Sequence, residues 1–163
     1  MPRSEIRHIE STRQTPDNLC LYYQLWLPEQ PAKAVVCLVH GLGEHSGRYT
    51  HVAAALNNAG YALLGFDLRG HGRSDGPRGH TPAYDVLMTD IDWLLEEAMA
   101  RFSGLPRFLY GHSLGGNLVL NHALRRNPAI AGVIATSSAI RLAVPPPGSQ
   151  IALAKIMNQV RPG

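Results

Sequence analysis

At 163 residues, with 45% apolar and 17% charged residues, the chain has the composition of one ordinary globular domain with enough length for a sizeable core. No run of about 18 apolar residues is present, so no membrane-spanning helix is expected, and Met1-Pro2-Arg3-Ser4-Glu5-Ile6-Arg7 lacks the apolar segment of a secretory signal. The net charge of +3 is unevenly spread: the first 113 residues carry twelve acids against ten Lys and Arg, net −2, and the last 50 carry five bases and no acid. Arg125, Arg126, Arg141, Lys155 and Arg161 are scattered, without the aromatic or groove-reading partners of a nucleic-acid site, so no nucleic-acid partner is expected.

In chain order, 5–12 and 19–27 read as two strands joined at Thr15-Pro16-Asp17-Asn18, a hairpin suited to a sheet edge. Ala34-Val35-Val36-Cys37-Leu38-Val39 is short and continuously apolar, the pattern of a parallel strand buried on both faces. A helix over 48–59, stopped by Gly60, leads to a second buried strand, 61–66, and then to the turn-rich loop 67–76. Apolar residues at helical spacing over 83–102 predict a long helix, and 107–110 a short strand. A helix from Ser113 to about Arg126 ends at Asn127-Pro128, and Ile130-Ala131-Gly132-Val133-Ile134-Ala135 is a further buried strand. Strands alternating with helices mean an α/β fold around a mostly parallel sheet, whose ligands bind at the carboxyl ends of the strands. Val144-Pro145-Pro146-Pro147-Gly148 reads as a stiff linker to a helix over 149–160, with Leu153, Ile156, Met157 and Val160 on one face. Cys20 and Cys37 lie in apolar runs, so two buried free thiols are expected in a cytoplasmic protein.

The stretch with chemistry is Gly111-His112-Ser113-Leu114-Gly115, a G-x-S-x-G between a strand and a helix. Such a nucleophile elbow lifts the serine hydroxyl above the sheet on a strained turn, and Gly111 and Gly115 give the chain room to pass close to itself. The first helical N–H groups then face any oxyanion that forms there. Gly41-Leu42-Gly43 between a strand and a helix imitates a dinucleotide fingerprint. Ser46 stands at the third glycine position, however, and Glu44 would repel a pyrophosphate, so no cofactor is expected. The histidine spacing fits no zinc motif, and no metal is expected.

Three segments together resemble monoacylglycerol lipases and lysophospholipases, a serine aminopeptidase-like branch of the α/β-hydrolase family. They are His40-Gly41-Leu42-Gly43-Glu44-His45-Ser46-Gly47-Arg48-Tyr49, Phe66-Asp67-Leu68-Arg69-Gly70-His71-Gly72-Arg73-Ser74-Asp75-Gly76, and Gly111-His112-Ser113-Leu114-Gly115-Gly116. The resemblance covers nearly the whole chain. It implies an α/β-hydrolase fold with strand order 1-2-4-3-5-6, a core over 1–139 and the start of a lipid-facing cap over 140–163. It implies a small acyl-ester lipid as substrate, peripheral membrane contact through the cap, Ser113 as nucleophile, and the backbone N–H groups of Leu42 and Leu114 as oxyanion hole. His40, Gly41, Gly43, Gly111, His112 and Gly115 would support the site. His40 is expected to order the oxyanion loop rather than act as base, and His112 to point away from the nucleophile. Asp67 and Arg69 are expected to brace loops. His8, His51, His80 and His122 read as surface or satisfied core residues.

A serine nucleophile needs a base, and the base an orienting acid, in the order Ser, Asp/Glu, His in this fold. After Ser113 there is no Asp or Glu, and the later His122 lies nine residues along the helix, about 13 Å away by helical rise. The chain therefore reads as the N-terminal portion of a longer hydrolase, truncated after about the sixth strand and inactive alone. The alternative is a non-catalytic α/β scaffold or partner-binding half. The uncharged strand 130–135 and the apolar helix face after it would then leave the isolated chain prone to self-association.

Overall fold

The computed structural model describes residues 7–141 and 147–160. Strands β1 (Arg7–Gln14) and β2 (Cys20–Leu27) form an antiparallel hairpin with Arg7 opposite Leu27 and Gln14 opposite Cys20. The turn between them is fixed locally. The Thr15 hydroxyl donates to Asp17 at 2.6 Å and accepts the Leu19 N–H at 3.0 Å, while Asn18 takes the left-handed φ of 64° that its short polar side chain tolerates. These turn bonds begin at Thr15, which explains why β1 runs two residues past the expected end at 12.

Strands β3 (Val35–Val39), β4 (Ala62–Phe66), β5 (Arg107–His112) and β6 (Gly132–Thr136) complete one six-stranded sheet, ordered β1-β2-β4-β3-β5-β6. β3 pairs in parallel with β4 and β5, and β5 in parallel with β6. Every residue of β3 and β4 is buried, because helices cover both faces. The period-2 alternation of a strand divides β3 between two cores. Val35, Cys37 and Val39 face α2 (Tyr84–Arg101) and α3 (Leu114–Arg126), where Met88, Ile91, Leu94, Leu118 and Val119 are buried. Val36 and Leu38 face a 3₁₀ turn (Ser46–Tyr49) and α1 (Thr50–Asn58), against Tyr49 and Ala53. The helix expected over 48–59 is thus split into a 3₁₀ turn and α1. Gly60 ends it at φ +88°, and Asn127 ends α3 at φ 44°.

Two sequence expectations are corrected. Cys20 is exposed: it occupies the open end of the hairpin, opposite Gln14, and the buried run of β2 starts one residue later. Cys37 is fully buried, and loss of hydration pushes its thiol up to about 12. The expected strand over 130–135 is β6, shifted to 132–136, and it is half-exposed rather than buried because its outer side has no neighbouring strand among the described residues. α4 (Gly148–Val160) follows, with Ile151, Leu153, Ile156 and Met157 exposed and no substantial packing on the core elements among the described residues. The side chain expected at Val160, and the linker residues 144–146, lie outside the described residues. No helix among the described residues is long and apolar enough to cross a membrane.

Candidate active site

The carboxyl ends of β3, β4 and β5 lie side by side and deliver His40, Asp67 and Ser113 to one edge of the sheet. Ser113 joins β5 directly to α3 with φ 54° and ψ −115°, a backbone strain that a non-glycine residue adopts only where its surroundings impose it. Those surroundings are visible. The Ser113 N–H donates to the Thr136 carbonyl at 2.9 Å, and its own carbonyl accepts the Asn117 and Ala139 N–H groups, each at 3.1 Å. A Cβ at Gly111 would strike the Gly115 backbone, and one at Gly115 the carbonyls of Val39 and His40, so both positions exclude any side chain. The half-buried Ser113 hydroxyl has no hydrogen-bond partner among the described residues.

The loop after β3 lies against this turn: a Cβ at Gly41 would sit 3.1 Å from Ser113 Cβ. Its geometry is over-determined. His40 Nδ1 donates to the Gly41 carbonyl at 2.7 Å, and the Leu68 N–H donates to His40 Nε2 at 2.9 Å. This arrangement requires the neutral imidazole protonated on Nδ1. Burial lowers its pKa from 6.5 to about 4, although the Gly41 carbonyl pulls the other way. Both ring nitrogens are engaged, one on the loop after β3 and one on the Leu68 N–H after β4. The Gly41 carbonyl and the Leu42 N–H share one trans peptide plane and point in opposite directions, so holding the carbonyl aims the N–H to the other side. Gly43 completes the turn at φ +71°. Neither the Leu42 nor the Leu114 N–H has an acceptor among the described residues, and Leu114 opens α3, where first-turn donors are free.

The remaining residues singled out from sequence are not all at this centre. His112 Nδ1 lies 3.1 Å from the Thr136 hydroxyl. Asp67 is buried and ties loops together, accepting from the Ser46 N–H and hydroxyl and from the Arg73 N–H. Arg69 makes a two-pronged pair with buried Asp90 and reaches Asp17, whose carboxyl it holds down at about 2. His8 stacks on Trp26 at 5.0 Å. His122 is fully buried on α3 and pairs with Asp92 on α2 at 2.7 Å, with no link to Ser113. Among the described residues, neither a carboxylate nor an imidazole hydrogen-bonds to Ser113, and no group of three or more His, Cys, Asp and Glu is arranged to hold a metal.

Two participants were not legible as such. Glu44 was noted only for its charge, yet its carboxylate holds the Gly41 N–H at 3.1 Å and the Tyr49 hydroxyl at 2.8 Å. Asn117 donates to the Ala139 carbonyl and accepts from Tyr84, locking the segment after β6 onto the helix of the elbow. Beside the loop a cleft of about 260 Å³ is lined by Glu44, Arg48, Tyr49, His51, Tyr110 and His112.

A mostly parallel sheet in this strand order, with a strained serine between a strand and a helix and a glycine turn against it, defines an α/β hydrolase. The Hydrolase_4 model, "Serine aminopeptidase, S33", matches residues 30–163, and the chain belongs to that family, which includes monoacylglycerol lipase-like hydrolases. It is 33% identical to the monoacylglycerol lipase of Mycolicibacterium smegmatis over 88% of this chain and 51% of that protein. It is 31% identical to the human monoglyceride lipase over 99% of this chain and 52% of that one. Among solved structures, the monoacylglycerol lipase of Paleococcus ferrophilus superposes with a TM-score of 0.73 at 43% identity, covering 88% of this chain and 52% of that chain. The chain spans about half the length of these lipases.

Proposed function

We propose that this chain is the N-terminal part of a serine ester hydrolase that cleaves monoacylglycerols, lysophospholipids or similar monoacyl esters. The Ser113 oxygen attacks the ester carbonyl, its proton passes to a base, and the carbonyl oxygen becomes an oxyanion held by the Leu42 and Leu114 N–H groups. Collapse expels the alcohol with a proton and leaves an acyl-Ser113 ester, and water then releases the fatty acid. The observation that carries this reading is the strained φ of 54° at Ser113, at the mouth of a turn whose two neighbouring N–H groups are free. A lipid substrate fits the exposed Leu42, Ile140 and α4 side chains, which would also serve peripheral membrane contact. Cys20 and Cys37 as free thiols fit a cytoplasmic setting.

The acid and base would come from residues following 163, in line with coverage of about half of the related lipases. A non-catalytic role for these residues alone is favoured by one observation, the Ser113 hydroxyl without a base among the described residues. The two readings separate on comparing turnover of a monoacyl ester by the 163-residue chain and by the protein extended through its downstream coding sequence. The first reading expects turnover in the extended protein, lost in Ser113→Ala, and negligible turnover in the shorter chain. Extended protein without activity would support the scaffold.

A further inference from the structure

Glu44 closes the oxyanion loop from two directions. Its backbone N–H donates to the Gly41 carbonyl at 3.3 Å, on the same oxygen that His40 Nδ1 holds. Its side chain turns back, and Oε2 accepts the Gly41 N–H at 3.1 Å. Both polar groups of Gly41 are thereby tied: the bonds to its carbonyl restrain the peptide that carries the Leu42 N–H, and the bond to its N–H restrains the peptide before it, so the two planes that meet at Gly41 are both held. The carboxylate is itself held: the Tyr49 hydroxyl donates to the same Oε2 at 2.8 Å, and the Arg48 guanidinium lies 3.8 Å from Oε1. A Cβ at Gly41 would come to 3.1 Å from both Glu44 Oε2 and Ser113 Cβ, which places this carboxylate and the nucleophile on either side of one residue.

Without the carboxylate, the Gly41 N–H would be a third unpaired donor in the glycine turn. A donor that must reorganise during the reaction loses most of its value, because electrostatic stabilisation depends on dipoles already in place. We propose that Glu44 is a positioning residue: by capping the Gly41 N–H it fixes the oxyanion loop so that the Leu42 N–H, rather than the Gly41 N–H, meets the transition-state oxygen. This rests on the hydrolase reading above. Glu44 acts through Gly41 and transfers no proton. An amide oxygen in place of the carboxylate would serve the same capping, whereas a methyl group would not.

Two measurements test it, and the first does not depend on catalysis. In the 163-residue chain, amide exchange of Gly41 is expected to accelerate about tenfold or more in Glu44→Ala, and to stay close to the parent in Glu44→Gln. In the extended hydrolase, removing one oxyanion donor from such a site costs on the order of 10²–10³ in kcat. Loosening one is expected to cost Glu44→Ala about 10–100-fold in kcat, with KM within about twofold and Glu44→Gln recovering most of the loss. Should Glu44→Ala not fold, Tyr49→Phe, which removes the anchor of the carboxylate, is expected to give a smaller loss of the same kind. Unchanged Gly41 exchange in Glu44→Ala, equal damage in the Ala and Gln variants, or an effect confined to KM would overturn the assignment. A hydrolase reading that failed would show itself separately, as turnover unaffected by Ser113→Ala.

Discussion

His40 makes the acid stability of this fold calculable. In the folded chain the imidazole is buried and neutral, with a pKa lowered from 6.5 to about 4. The unfolded chain takes up a proton near pH 6.5, and the folded chain refuses it until about pH 4. The unfolded state therefore binds more protons in that window, so the His40 contribution to stability is full above about pH 6.5, is lost as pH drops towards 4, and is constant below. The shift corresponds to about 3 kcal/mol over the full window, of which about 2 kcal/mol is lost by pH 5. For a domain of this size that is a fall of roughly 4–8 °C in Tm. Asp17, held at about 2, adds its own loss only below its ordinary 3.8, outside the window. Urea titrations from pH 7 to 4 measure the slope, with His40→Leu as control. That variant strands the Leu68 N–H and leaves the Gly41 carbonyl with the Glu44 N–H alone, and is expected to lose about 1–3 kcal/mol at pH 7. Its stability should then stay nearly flat to pH 5. Parallel slopes in the two proteins would refute a buried neutral His40.

Gly115→Ala drives a methyl group into the Val39 and His40 carbonyls and is expected to cost about 3 kcal/mol or more, whereas Gly132→Ala meets only the Phe108 ring at 3.4 Å and should cost under about 1 kcal/mol. Thermal or urea denaturation of the pair reads the contrast, and equal losses would contradict the close approach of β3 to the elbow. Cys20 should react with a maleimide in the native chain and Cys37 only after unfolding, so mass spectrometry is expected to find a single adduct under native conditions. The uncharged outer side of β6 and the apolar side chains of α4 are expected to make the isolated chain self-associate at micromolar concentration. Sedimentation should show Ile134→Lys, at a position 44% exposed on the edge strand, or Ile156→Lys shifting it towards monomer; a parent chain that sediments as a clean monomer would contradict this.

The parallel strands and the elbow were legible because each depends on local chemistry. β3 and β4 must be apolar on both faces, and Gly111 and Gly115 stand where any Cβ meets backbone. His40 was singled out from the sequence as a residue expected to order its loop, and its two bonds, to the Gly41 carbonyl and from the Leu68 N–H, were not legible there because Leu68 is 28 residues away. Exposure was harder to read than identity. Cys20 and β6 carry apolar sequence, but whether such residues are covered depends on what lies beside them in the sheet, which no local pattern states. Glu44 escaped for a related reason. Its partners Gly41 and Tyr49 lie three and five residues away, near enough to be noticed, yet its charge was weighed only against a pyrophosphate, and no local pattern states that the carboxylate turns back onto the Gly41 N–H.

The central claim is that Ser113 is an acyl-accepting nucleophile. Reaction of the extended hydrolase with a fluorophosphonate, followed by peptide mass spectrometry, tests it most directly. One covalent adduct on the peptide containing Ser113, absent in Ser113→Ala together with ester turnover, is the expected result. An adduct on another residue, or turnover that survives Ser113→Ala, would contradict it.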